Sequence, residues 1–362
     1  MLGLALALAL AAPAAEGGRL PPPPRTLQQV TWFRDLAGKT LGEWRPEEPG
    51  GAAHDRVTKL VVVGTRDGWL HALREDGSLA WDFHGDGPFA AEPLIDGDTV
   101  YAACKDGRLY AVGLTTGKER WRYEAKEALG TRPALLGGTI FVASLQDSVY
   151  AIDAASGAWK WHHRREPREG FTVQGAASVA AAAGLVHAGF SDGSLVALDA
   201  ATGAVRWERH AAPRGDYPDV DSLVLSGGRL YAAAFSGAVV ALEAATGKPV
   251  WQVETPEASR VAMAAGTLVA VTTRSVLGLS PVDGRILWTT PLRGTPAGEP
   301  RLAGRWLLVP EGAAGLQVLE LASGRPMGVI DGGTGVSASP ALEGRQAWVL
   351  SNGGRLLSLR LE

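Results

Sequence analysis

The sequence predicts an all-β protein: a single eight-bladed β-propeller of four-stranded antiparallel blades. Three observations predict it. Tryptophan recurs at Trp81, Trp121, Trp161, Trp207, Trp251 and Trp288, at spacings of 40, 40, 46, 44 and 37 residues. A period near forty marks a repeat array. Each interval carries three short β-rich runs joined by glycine-containing turns, as in LVHAGFSDGSLVALDAATGAVRWER (185–209). A fourth apolar run lies upstream, as in ALLGG (134–138) and ALEG (341–344). Four strands per unit make a propeller blade, whereas a helical solenoid would need two helices.

Composition agrees with this architecture. Gly, at 47 of 362 residues, is nearly twice the usual ~7%, as a fold of many tight turns requires. Hydrophobic residues at 46% and charged residues at 20% fit a packed chain rather than a disordered one. Lys+Arg 35 against Asp+Glu 38 lacks the basic excess of a dedicated nucleic-acid binder. A lone cysteine, Cys104, excludes an intramolecular disulfide and any multi-cysteine metal site.

From the N-terminus, residues 1–15 (MLGLALALALAAPAA) read as a secretory signal. The run is shorter than the ~20 residues of a membrane span. Ala12-Pro13-Ala14 resembles a small-residue cleavage site, although no Lys or Arg precedes the apolar run. Residues 16–26 form a linker in which Pro21 to Pro24 make a stiff extended spacer. The propeller then covers 27–362. Its eight units begin near Leu60, Thr99, Thr139, Leu185, Arg229, Thr267, Trp306 and Gln346. The seventh unit has Met327 where tryptophan is expected. The eighth, QAWVLSNGGRLLSLRL (346–361), lacks its outer strand. A ring must close to remove its exposed edges, so VTWFRDL (30–36) is expected to supply that strand.

The six spaced tryptophans are expected to be architectural, each ring packing on the small Ala and Gly residues of the next blade. The T-G turn demands glycine at positive φ. Other features read as structure too. Asp67-Gly68, Asp106-Gly107 and Asp192-Gly193 are hairpin turns. His162 and His163, adjacent on a strand, point to opposite faces, which makes a shared metal geometrically awkward. Cys104 ends an apolar run and reads as a buried, inert thiol. Neither a P-loop nor the H-E-x-x-H pattern occurs.

The unit A-[LIV]-D-x-x-[TS]-G-x-x-x-W appears as AIDAASGAWKW (151–161) and ALDAATGAVRW (197–207). It resembles the repeat of the pyrroloquinoline-quinone dehydrogenases and, equally, that of the outer-membrane assembly factor BamB family. The two longest tryptophan spacings place insertions in neighbouring inter-blade connections on one face of the ring. Insertions gathered on one face are a common way to build a binding surface. The BamB resemblance implies that these connections dock the POTRA region of a BamA-like partner. It carries the docking role onto Phe171, Val173, Gln174 and Gly175 in the first connection and Asp219 and Asp221 in the second. Gln174 stands where the family often has Arg. The resemblance further implies a non-catalytic scaffold without cofactor, a monomer within an envelope complex. It would be periplasmic and at most peripheral to the membrane. The family's usual lipid-bearing cysteine has no counterpart before Cys104.

Two other readings stand beside this one. A quinoprotein dehydrogenase would need a quinone, an oxygen-ligated Ca²⁺ and a catalytic Asp. The adjacent cysteines of that family's alcohol dehydrogenases are missing. A generic envelope propeller would bind a protein, peptide or glycan.

Overall fold

The computed structural model describes residues 28–37, 47–165, 179–211, 218–235, 237–255 and 257–362. The expected signal and linker lie outside them. Eight antiparallel four-stranded sheets form the ring, and no helix occurs among the described residues. Blades 1 to 7 span 52–84, 94–124, 134–164, 180–210, 220–254, 258–291 and 301–330. Blade 8 takes Ala341–Glu343, Gln346–Leu350 and Arg355–Leu361 from the C-terminus and Gln28–Asp35 from the N-terminus. The N-terminal strand pairs antiparallel with the C-terminal one, so the ring closes as the sequence predicts.

The strands form where apolar runs can be covered. The second strands LVVVG, TVYAA and TIFVA are buried throughout, being flanked by neighbouring blades. Such continuous short runs are the mark of strands covered on both faces. Outer strands have one covered face and alternate accordingly, as in Trp159–Arg164. The core is therefore divided rather than central. Buried apolar side chains fall into eight clusters among the described residues, one at each interface of neighbouring blades. One of them joins blade 8 to blade 1 through Trp348, Leu350, Val61 and Val63.

The A-x-D-x-x-[TS]-G-x-x-x-W motif explains itself at these interfaces. In ALDAATG the Asp199 carboxylate accepts the N–H groups of Ala201 and Thr202, both at 3.0 Å, and the Thr202 hydroxyl. This is an Asx turn. Gly203 follows at φ 74, and the Trp161 ring of blade 3 lies directly on it. A Cβ at Gly203 would stand 2.7 Å from that ring. The Trp161 indole N–H donates to Ala200 O at 3.1 Å. Trp81, Trp121, Trp207, Trp251 and Trp288 meet Gly117, Gly157, Gly247, Gly284 and Gly324 in the same way.

Trp32, in the closing strand, is a seventh docking ring. It sits on Gly77 of blade 1 and donates to Glu75 O at 2.6 Å. Blade 7 departs from the pattern, and the sequence alignment of that unit needs correcting by one residue. Opposite the docking tryptophans stand small residues, as in Ala151↔Trp161 and Gly278↔Trp288. In blade 7 this pair is Val318↔Gly328, so Gly328 holds the tryptophan position and Met327 is the bulged residue before it. The reason lies in blade 8. Its outer two strands are the last and the first strands in the described residues, so no T-G turn joins them for a tryptophan to cover. Met327 packs instead into the blade 7–8 cluster, which contains Leu361.

Cys104 is buried, and its thiol donates to Gly87 O at 3.0 Å. Burial pushes its pKa up to about 12, which removes the thiolate needed for reactivity. His162 stacks on Tyr150 while His163 contacts Phe190, so the two imidazoles serve different surroundings.

Candidate partner face and channel mouth

The meander within each blade decides which loops share a face. The connection from an outer strand to the next inner strand emerges beside the hairpin between second and third strands. The connection after Trp159–Arg164 re-enters at Ala180–Ala182, and that after Val205–His210 re-enters at Val220–Ser226. The described ends of both connections, Arg165 and Val179 for the first and Ala211 and Pro218 for the second, lie on the same face and flank blade 4. Phe171, Val173, Gln174 and Gly175 of the first lie outside the described residues. The second ends at Asp219-Val220-Asp221, whose three side chains have different environments.

Val220 is buried in the blade 4–5 core. Asp219 is wholly buried, not surface-exposed as a direct partner contact would be. Its carbonyl accepts Phe235 N–H at 2.9 Å, tying the connection to the hairpin of blade 5. Asp221 lines the mouth of the central channel with Ser222, Arg260, Glu92, Arg132 and Glu299, around a cavity of about 300 Å³. Burial raises the Asp221 carboxyl to about 7; Arg260 opposes the shift and Asp219 adds to it. The Arg260 guanidinium is held by two backbone carbonyls, Ala297 O at 2.9 Å and Ser259 O at 2.7 Å.

Along this mouth runs an ionic chain that sequence reasoning missed. Arg132 Nε is 3.2 Å from Glu92 Oε1, Arg301 Nη2 is 2.5 Å from Glu92 Oε2, and Arg301 Nη1 is 3.0 Å from Glu299 Oε2. Glu92 immediately precedes blade 2, whereas Arg301 opens blade 7. Those blades are three steps apart around the ring, so the pair bridges the channel. Burial works against the Arg301 charge, but Glu92 and Glu299 outweigh it and hold its pKa above the ordinary arginine value. Alternating charges satisfy one another where a lone buried ion would be costly.

With this geometry in hand, comparison with known proteins decides the family. The model of the outer membrane protein assembly factor BamB matches residues 28–113, 66–252 and 236–362. The chain belongs to the BamB family. No curated protein matches it. Among solved structures, BamB from Moraxella catarrhalis is 20% identical, with 92% of this chain and all of that chain covered and a TM-score of 0.78. The computationally designed Ika8 protein is 15% identical over 90% of this chain and 98% of its own, at 0.74. A quinohemoprotein alcohol dehydrogenase from Comamonas testosteroni is 14% identical over 92% of this chain and 76% of its own, at 0.72. At these identities the likeness is one of fold. This BamB-family propeller thus shares its ring with enzymes, and its site must be judged on its own residues.

Proposed function

We propose that this BamB-family propeller is a non-catalytic scaffold of the cell envelope. It docks the POTRA region of a BamA-like partner on the face that carries the connections flanking blade 4. The observation that carries this reading is the match to the BamB family along the described chain; that the described ends of both connections share one face supports it. In this reading the protein is exported by its N-terminal signal and works at the periplasmic side of the outer membrane. Phe171 and Val173 bury apolar area against the partner, with Gln174 and Gly175 completing the stretch. Asp221 meets the partner at the channel mouth. Asp219 acts from within, holding the second connection in place.

Desolvated aromatic anchors dominate such interfaces. Phe171→Ala is expected to weaken binding to the purified POTRA region by about tenfold or more, and by more than Asp219→Ala. Biolayer interferometry on both variants, each with a melting curve, measures this. Equal affinity of Phe171→Ala and the parent, or failure of any POTRA-containing protein to copurify from crosslinked envelope, would sink the reading.

Asp221 makes a separate pH prediction. Its carboxyl holds a proton in the folded state at pH values where the unfolded chain has lost it. Stability therefore falls as pH rises from the ordinary Asp range to about 7. Asp221→Asn is expected to flatten this slope and to be the more stable protein at about pH 8. Urea midpoints at about pH 5 and pH 8 test it; parallel pH dependences in parent and variant would contradict it.

A further inference from the structure

Trp159 is not used by the architecture. Two residues before the docking tryptophan, the other outer strands carry Val30, Leu79, Glu119, Val205, Pro249 and Ile286. Blade 3 alone among these has a second indole there, and Trp161 already covers Gly203. Trp159 is 55% exposed. It lies in a groove of about 850 Å³ between blades 2 and 3, with Tyr123, Tyr150 and His162. The rings form a ladder: Tyr123 to Tyr150 at 6.0 Å, Tyr150 to His162 at 6.0 Å, and His162 to Trp159 at 6.2 Å. Glu124, Glu127, Lys126, Gln146 and Arg164 edge the groove.

We propose that this groove binds a neutral oligosaccharide, a pyranose ring stacking on Trp159 and its hydroxyls meeting Glu124, Glu127, Gln146 and Arg164. The chemistry of the edge selects this class. Two carboxylates against Lys126 and Arg164 leave the edge without net charge, so a polyanion or polycation gains nothing. Carboxylates only accept hydrogen bonds, whereas the Lys126 and Arg164 groups only donate them, so the fitting ligand brings both donors and acceptors. Sugar hydroxyls do. A proline-rich peptide, the usual occupant of aromatic grooves, brings carbonyl acceptors but few donors for the carboxylates, because proline has no N–H. The Tyr150 hydroxyl is already committed to Ala125 O at 3.1 Å. Planar carboxylate, amide and guanidinium groups match pairs of neighbouring hydroxyls, and the indole face matches the C–H face of the ring.

The proposal is independent of partner docking at residues 171–175. Isothermal titration of the full protein with chitotetraose, cellotetraose and maltotetraose tests it. At least one of the three is expected to bind. Trp159→Ala should weaken that binding by about tenfold, as loss of one stacking contact implies. Trp159→Phe should retain most of it, and Phe171→Ala should leave it unchanged. Melting curves check that the variants fold. Binding of none of the three, equal binding by Trp159→Ala, or competition by a decaproline peptide would overturn the proposal.

Discussion

Arg301→Met is expected to destabilise the propeller by about 3 kcal/mol, the lower end of the cost of breaking a buried ion pair. The cause is what remains behind. Glu92 and Glu299 both lose the guanidinium that neutralises them. The Glu92 side chain is only 15% exposed, so water replaces the lost partner poorly. Arg132 still faces Glu92 from the other side, which keeps the cost from rising further. The double variant Glu92→Gln with Arg301→Met removes one orphaned charge and should recover about 1 kcal/mol or more. Because the pair is sheltered, the Arg301→Met cost should persist in about 1 M NaCl, where exposed pairs are screened. Urea unfolding at neutral pH, with the slope unchanged, measures all three quantities. A loss below about 1 kcal/mol would mean that the bridge behaves as a surface pair.

The same bridge marks the limit of what the sequence could reveal. Glu92 and Arg301 are 209 residues apart. Neither belongs to the repeat motif, and only the ring's closure brings them together. The blades were legible because their signals are local. Hairpin glycines, buried second strands and the docking tryptophan all repeat within one unit, and the chain repeats that unit. The N-terminal closing strand was legible by subtraction, since the last unit lacked a strand. Its docking residue was not recognised, although a signal existed: Trp32 precedes Gly77 as Trp81 precedes Gly117. Met327 was given the tryptophan position although the G-x-x-x-W spacing, counted from Gly324, lands on Gly328. The two aspartates at 219 and 221 could be named from a resemblance. Their opposite fates, one enclosed and one at the channel mouth, depend on how the connection enters blade 5 and on Arg260 from blade 6.

Trp161→Ala is expected to cost about 3–5 kcal/mol, as large-to-small changes of a buried aromatic do. The ring is 6% exposed and packs among Phe141, Val186 and Leu198 at the blade 3–4 interface. Removing it opens a cavity over Gly203 and strips the Ala200 carbonyl of the indole N–H that satisfies it. Gly203→Ala should fail for a complementary reason. The new Cβ would collide with the same ring, at a φ of 74 that side chains rarely adopt. A propeller offers no second layer to absorb either defect, because each interface is its own core. The effect on the urea midpoint should therefore be large for Trp161→Ala and within about 0.5 kcal/mol for Trp159→Ala, which lies on the surface. Oligosaccharide binding should rank the two positions the other way. Trp159→Ala loses the stacking platform in a fully folded protein, whereas Trp161→Ala keeps the platform so long as blade 3 stays folded. Comparable losses of stability at both positions would show that Trp159, too, belongs to the ring's architecture, and would leave the groove between blades 2 and 3 without its ligand-facing residue.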